Sequence, residues 1–258
     1  MHGGPMADIP EIVARTLGSV HGGRVLEVGC GDGEFTEMLV EQLASYERID
    51  AVDADESAVE EARAYFETAH PDAPVEFSGA DATSLPFPDD AFDTVVLSNT
   101  IHHLEAPGQV LGELMRVLRE EGTLIVHEMV SDVSDPQEQV GRDLHHLKAM
   151  IDRTHGIPHY PTLSRGDLDT LFGSDDLDEL ERHEYRSPEP EKTDVDLDDK
   201  LENLDYYADY AAGHPEYADI RREVVRLKQR VRAVGFASPP QLLLLYRKVG
   251  HAGDRRHQ

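Results

Sequence analysis

The chain has 258 residues and sets 24 lysines and arginines against 52 aspartates and glutamates, a net charge of −28. A surface of that sign repels phosphate backbones and anionic lipid, which excludes generic nucleic-acid binding and polybasic membrane docking. The single cysteine, Cys30, permits no internal disulfide.

In chain order, Met1 to Pro10 shows no charged segment leading into an apolar one, so no signal peptide is expected. Arg24 to Val28 is a short apolar run stopped by Gly29, the pattern of a buried strand. Glu34 to Leu43 sets Phe35, Met38, Leu39 and Leu43 at helical spacing. Arg48 to Val52 predicts a second strand, Glu56 to Ala69 a helix ended by Pro71, and Val75 to Phe77 a brief third strand. Phe92 to Leu97 is a near-continuous apolar run, the signature of a central strand. Val110, Leu114, Val117 and Leu118 form a helix stripe closed by Gly122, and Thr123 to Val126 gives strand five. This alternation predicts an α/β fold with a parallel sheet covered on both faces and a ligand beyond the carboxyl ends of its strands.

The second half breaks that rhythm. Gln137 to Thr154 predicts a long helix, Leu177 to Tyr185 a sixth strand with partial alternation, and Arg186 to Lys200 a solvated connection. Leu201 to Ala212 and Pro215 to Val234 predict two more helices, and Gln241 to Val249 the seventh strand. The added helices are expected to cap the ligand edge of the sheet. The longest apolar run, Leu242 to Tyr246, is far shorter than the ~20 residues of a membrane helix, and a cytoplasmic protein is expected. Five lysines against 19 arginines, within an acid-rich chain, resemble proteins from the salt-loaded cytoplasm of extreme halophiles.

Strand one runs into Gly29-Cys-Gly-Asp-Gly33 and then a helix, the context in which a glycine loop lets backbone approach a ligand. Glu27 lies inside the strand, and Asp53 ends strand two, where a carboxylate can accept both hydrogen bonds of a ribose diol. A dinucleotide loop would need glycine at Glu34, and pyrophosphate would meet the carboxylates of Asp32 and Glu34. The loop therefore favours a ligand without phosphates over the dinucleotide of an oxidoreductase.

These segments resemble a known family. Val25-Leu-Glu-Val-Gly-Cys-Gly-Asp-Gly33 is similar to motif I of the class I S-adenosylmethionine-dependent methyltransferases, and Val52-Asp-Ala-Asp55 to the second motif. Gly79-Ala-Asp-Ala82 with Leu85-Pro-Phe-Pro-Asp-Asp-Ala-Phe-Asp93 resembles the third and fourth, and Leu97-Ser-Asn-Thr-Ile-His-His-Leu104 resembles the quinone and menaquinone methyltransferase branch. The resemblance implies a Rossmann-like, seven-stranded, mainly parallel sheet. It implies S-adenosyl-L-methionine as cofactor and S-adenosyl-L-homocysteine as product. Residues 1–130 would form the cofactor-binding core, 131–175 a helical insertion, and 176–258 the end of the sheet with a second insertion around 190–235. Gly29, Cys30, Gly31 and Gly33 would meet the methionine portion, with Glu27 toward its ammonium. Asp53 and Ala54 would hold the ribose, Asp81 and Ala82 the adenine, and Ser98 and Asn99 the sulfonium. Cys30 is expected to pack rather than react.

Methyl transfer is an in-line displacement that needs alignment and dryness, and a base only when the acceptor must lose a proton. His102 and His103, just beyond strand four, are the candidate bases, and Asn99 is a candidate to orient an acceptor oxygen. His127, His145, His146, His155 and His159 invite a metal reading. Neighbouring helix positions such as His145 and His146 point about 100° apart, and no cysteine or carboxylate spacing completes a set, so no metal is expected. Tyr206, Tyr207 and Tyr210, with His159 and Tyr160 of Ile157-Pro-His-Tyr-Pro161, are candidates for an acceptor wall; core packing is the alternative for the tyrosines. The expected partner is a small-molecule methyl acceptor, with no nucleic acid and no membrane, and the protein a monomer or homodimer. The alternative is a non-catalytic or regulatory S-adenosylmethionine-binding protein on the same fold.

Overall fold

The computed structural model describes residues 10–186 and 194–250. The segment read for a signal peptide therefore lies outside the described residues, apart from Pro10. In the first half the elements are α1 (Glu11–Leu17), β1 (Arg24–Val28), α2 (Glu34–Gln42), β2 (Arg48–Asp53), α3 (Glu56–Ala69), β3 (Val75–Gly79) and β4 (Phe92–Ser98). A 3-10 turn (Ile101–His103), α4 (Pro107–Val117) and β5 (Leu118–Met129) follow. The second half holds α5 (Pro136–Thr154), α6 (Arg165–Phe172), β6 (Leu177–Tyr185), α7 (Asp194–Tyr210), α8 (Tyr217–Val234) and β7 (Gln241–Lys248).

The seven strands form one sheet in the order β3-β2-β1-β4-β5-β7-β6. All pairs are parallel except those of β7, which runs antiparallel to both β5 and β6. Alternate residues of the central strands face opposite helical layers. Val25, Ile49 and Val96 pack with Val13, Leu17 and Leu39 of α1 and α2, and Ala51 packs with Val59 and Phe66 of α3 on that same face. Leu26, Val95 and Leu97 pack on the other face against Leu114 of α4 and Leu168 and Phe172 of α6. Burial on both faces is why these strands are almost wholly apolar in sequence.

Strand order reverses at β1, which lies between β2 and β4 with Val28 paired to both Val52 and Leu97. Such a switch point opens a crevice beyond the carboxyl ends of the strands. Helix starts are fixed there by side-chain caps: Asp55 accepts from the Ser57 and Ala58 amides, and Asp135 from those of Gln137 and Glu138.

A separate apolar cluster joins α5, α7 and α8 through Val140, Leu147, Leu204, Ala208, Val224 and Leu227. Charge reinforces it, since Asp143 of α5 pairs with Arg142 at 2.7 Å and also with Arg230 of α8. The backbone amide of Tyr160, after α5, donates to the His102 carbonyl at 2.7 Å and so ties this three-helix unit to the turn after β4, while within the unit Ala237, after α8, donates to the Gln137 carbonyl of α5 at 3.1 Å.

Four sequence expectations change. Helix α7 starts at Asp194, inside the stretch expected to be a solvated connection; residues 187–193 of that stretch lie outside the described residues. Acidic side chains suit a helix N-terminus, where they complement the macrodipole, so an Asp-rich run does not by itself mean loop. Strand β5 begins at Leu118, ahead of the expected Thr123, and its register jumps between Phe92↔Leu118 and Thr94↔Thr123. Gly122 thus serves an irregularity in the strand rather than the stop of α4. Helices α1 and α6 are additions that the patterning did not single out. No helix among the described residues is long and apolar enough to cross a membrane.

Candidate functional site

The glycine loop leaves β1 through left-handed backbone, with φ of +79° at Gly29, +53° at Gly31 and +91° at Gly33. At Gly29 a Cβ would fall 2.3 Å from the side chain of Thr100, so the loop can close onto the end of β4 only as glycine. At Gly31 a Cβ would meet nothing within 4 Å, which marks the open side of the loop. Asp53 braces this arrangement: one carboxylate oxygen accepts from the Gly31 amide at 2.9 Å and the other from the Asp55 amide at 2.9 Å. Cys30 is buried in the cluster with Ala62 and Phe66, and burial pushes its thiol well above the ordinary range, so it packs and does not react.

Glu27 is fully buried. Its Oε2 accepts from the Thr36 hydroxyl at 2.6 Å, while Oε1 has no partner. Burial drives the carboxyl up to about 8, opposed by the Thr36 hydrogen bond and assisted by the charge of Asp53. An orphaned buried carboxylate oxygen is costly unless a ligand donates to it, and a cationic ammonium suits it. Asn99, just beyond β4, adopts φ +47° and holds a buried side-chain oxygen, also without a partner. The strain and the orphan coincide at one residue on the ligand edge. Asp81 is exposed and accepts from both the amide and the hydroxyl of Thr83, which hold its carboxyl below the usual range. Ala54 is exposed and Ala82 half-buried on neighbouring strand ends. These donors and acceptors fit an amino acid–ribose–adenine ligand with a positive charge.

Ser98 does not face this edge with its hydroxyl. Its Oγ lies 2.9 Å from His127 Nδ1, and His127 Nε2 lies 2.5 Å from the hydroxyl of Tyr185. Burial takes the His127 imidazole down to about 4, which keeps it neutral.

His102 is 3 % exposed, and its Nδ1 meets the fully buried carboxylate of Glu128 at 2.8 Å. Glu128 also accepts from the amides of Ile101 and Met129, each at 3.1 Å, which locks the turn after β4 to the end of β5. His103 Nδ1 lies 3.0 Å from the carbonyl of Pro158. His159 is 1 % exposed, with Nδ1 at 2.7 Å from Asp152 and Nε2 at 3.0 Å from Nε2 of His145. Burial, with His102 and His159 adding, takes His103 down to about 4 and His145 down to about 3. Both rings are therefore neutral near pH 7.

A cavity of about 360 Å³ adjoins this cluster, lined by Met129 at the end of β5, His145 and Asp152 of α5, Tyr207 of α7 and Phe236 ahead of β7. That volume is in the range of small-ligand sites. Of the tyrosine candidates only Tyr207 reaches the cavity. Tyr206 and Tyr210 are 61 % and 53 % exposed and share a hydroxyl–hydroxyl contact of 2.6 Å, so they are neither core nor cavity wall. His159 joins the histidine cluster, and Tyr160 is attached beside it by its backbone.

Among the five histidines weighed for metal, His146 turns to Thr162 and His155 to the outer face beside Tyr210, while His127 belongs to the Ser98 chain. His145 and His146 do diverge. His145 and His159 nonetheless meet His102 and His103 from other segments, a convergence that spacing along one helix does not reveal. Glu128 and Asp152 were also missed; the one available signal was a glutamate ending the apolar run of β5.

Residues 26–126 match a family described as a methyltransferase domain. A demethylmenaquinone methyltransferase of Clavibacter sepedonicus is 35 % identical over 136 residues, 53 % of this chain and 52 % of that one. A malonyl-[acyl-carrier protein] O-methyltransferase of a Paenibacillus strain is 27 % identical over 173 residues, 64 % of this chain and 61 % of that one. The chain thus spans between half and two thirds of the length of these curated relatives. The crystal structure of the YcgJ protein of Bacillus subtilis superposes with a TM-score of 0.60 at 18 % identity, covering 93 % of this chain and 97 % of that one. Residues 26–126 are therefore similar to a methyltransferase domain, and the whole chain shares the fold of the solved structure.

Proposed function

We propose that the protein transfers a methyl group from S-adenosylmethionine to a small-molecule acceptor held in the cavity between the sheet edge and the three-helix unit. The observation that carries this reading is the unpartnered Oε1 of fully buried Glu27 in the strand that runs into the glycine loop, with a second unpartnered buried oxygen at Asn99 just beyond β4. When bound, S-adenosylmethionine supplies an electrophilic methyl on a sulfonium. The chain's own residues bind, align and keep out water: the Gly29–Gly33 loop and Glu27 take the methionine end, Asp53 the ribose, and Asp81 with the Ala82 amide the adenine. Asn99 orients the reacting end, and the cavity walls hold the acceptor for in-line displacement. Where the acceptor must lose a proton, His102 and His103 mark the region in which it is taken up. The net charge of −28 disfavours a nucleic-acid acceptor.

The test is incubation of the full chain, in concentrated potassium chloride, with methyl-labelled S-adenosylmethionine and a metabolite extract. Label in one small product supports the proposal and names the acceptor. Tight S-adenosylhomocysteine binding without any transferred label would favour a non-catalytic binding protein. As a companion measurement, Asp53→Ala is expected to weaken S-adenosylhomocysteine binding by about 1–3 kcal/mol, the loss of hydrogen bonds to a charged acceptor.

A further inference from the structure

Four imidazoles gather where the three-helix unit meets the sheet. His102 and His103 come from the turn after β4, His145 from α5, and His159 from the segment after α5. One ring nitrogen from each of His102, His103 and His159 lies within 4.8 Å of the other two. The His103 and His159 ring centres are 4.2 Å apart, and His145 lies 4.8 Å from His159 and 5.0 Å from His102.

The outer sides of these rings are as informative as the inner ones. Nδ1 of His102 is held by Glu128, Nδ1 of His103 by the Pro158 carbonyl, and Nδ1 of His159 by Asp152. A carboxylate or carbonyl behind a ring fixes the tautomer with the proton on Nδ1. The Nε2 lone pair is then the one left for the cluster. That outer shell is the arrangement by which proteins prepare histidines to ligate a metal. Two imidazole nitrogens on one tetrahedral ion stand about 3.3 Å apart, given bonds of ~2.0–2.1 Å, a separation within reach of three nitrogens that lie within 4.8 Å of one another. His145 Nε2 lies 3.0 Å from His159 Nε2 and, with the His159 proton on Nδ1, donates to that lone pair. Two carboxylates stand behind the ligands, Glu128 and Asp152, the second shared with the ammonium of Lys148 at 2.7 Å, so Glu128 would carry most of the offset to a divalent charge.

The donor set also selects the ion. An all-imidazole set suits zinc, cobalt, nickel or copper and is wrong for magnesium or calcium, which want oxygen. The other group of metal-ligating side chains, Glu37, Glu41 and His70, is a weaker candidate. There Glu37 Oε1 is already shared by the Tyr65 hydroxyl and His70, and Glu41 is exposed.

We propose that His102, His103 and His159 bind one divalent ion of the zinc class and so tie the three-helix unit to the carboxyl end of the sheet, an ion-loaded state in which an acceptor proton would have to leave by another group or by water. The ion would join segments that lie 57 residues apart along the chain, from His102 to His159.

The test uses the full chain, stripped with a chelator and titrated with Zn²⁺ in high salt by competition calorimetry, then with Co²⁺ by visible absorption. Stoichiometric zinc binding and the intense visible bands of tetrahedral cobalt are expected. His103→Gln and His159→Gln should each lower zinc affinity by about 100-fold or more, and Asp152→Asn by about 10–100-fold, since loss of an outer-shell partner loosens the ligand. Circular dichroism checks folding, and the half-buried His103 variant stands in if His159→Gln does not fold. Absence of stoichiometric binding overturns the proposal. So does binding that survives both histidine substitutions, which would place the ion elsewhere. Because the readout is metal affinity, failure of methyl transfer and failure of this site are separate results.

Discussion

The two halves of the site are built on opposite plans. At the proposed cofactor end, Glu27, the glycine loop and Asp53 lie within 27 residues of each other, and backbone conformation does most of the positioning. At the proposed acceptor end, His102, Glu128, His145, Asp152 and Tyr207 come from four separate elements and meet only after the three-helix unit has docked. Local geometry can be written into a short motif, whereas convergence over long separations is written into packing. The glycine-loop end accordingly lies within the matched residues 26–126, whereas His145, Asp152 and Tyr207 lie beyond them.

Three substitutions press on that contrast. The largest effect is expected at Gly29, where alanine must adopt positive φ and displace Thr100. Gly29→Ala should cost about 3 kcal/mol of stability, combining a left-handed residue with overpacking. A thermal unfolding midpoint equal to that of the wild type would show that the loop is not the rigid half of the site.

The second concerns Glu27, whose carboxyl sits near 8 in the free protein. Below that pH it is protonated, and an ammonium ligand must expel the proton. S-Adenosylhomocysteine affinity should therefore rise with pH from about 6 to about 8, by up to tenfold per unit, and Glu27→Gln should flatten the profile. The same sign governs the unliganded fold. A folded-state value raised above 4.5 means that the wild type loses stability, relative to the Gln variant, as pH rises from about 4.5 to about 8. A parallel pair of calorimetric pH series would remove the ammonium assignment.

The smallest effect separates two neighbouring tyrosines. Tyr207→Ala should raise the acceptor KM by about two- to tenfold through loss of an aromatic wall. Tyr206→Ala, on the outer face, should change it less than about twofold, as surface substitutions do. Equal effects on steady-state kinetics would mean that the cavity is not where the acceptor sits.

The glycine-loop end of the fold was legible because its information is local: apolar runs and period-3.6 patterning placed β1, β2, β4 and α3 within a residue or two, and Gly29 to Gly33 announced the turn. β6 was also legible from Leu177 to Tyr185, although only one of its nine residues is buried. Its alternation is partial because an edge strand keeps charges such as Glu179, Arg182 and Glu184 on the outside. The acceptor end resisted for two reasons. Asp-rich Asp194 to Asp199 has the composition of a loop, and only its place at a helix start explains it. The histidines were judged by spacing along α5, where His145 and His146 diverge, while their true neighbours are distant in sequence. Exposure of Tyr206 and Tyr210 likewise followed from which face of α7 met α5 and α8, which an i, i+4 pattern does not specify.

The last strand adds a condition of its own to how this chain can fold. β7 occupies a place between β5 and β6, and β6 has no other partner in the sheet. Until Gln241 to Lys248 has arrived, β5 presents a bare edge and β6 has nothing to pair with. The pairings that finish the sheet are thus among the most distant in the chain, the kind formed late and slowly. The helices between residues 194 and 234 must be made and set aside before the sheet can close. A chain ending ahead of Gln241 would keep the entire glycine loop and still carry an open strand edge, a template for association with other copies rather than a smaller version of the protein.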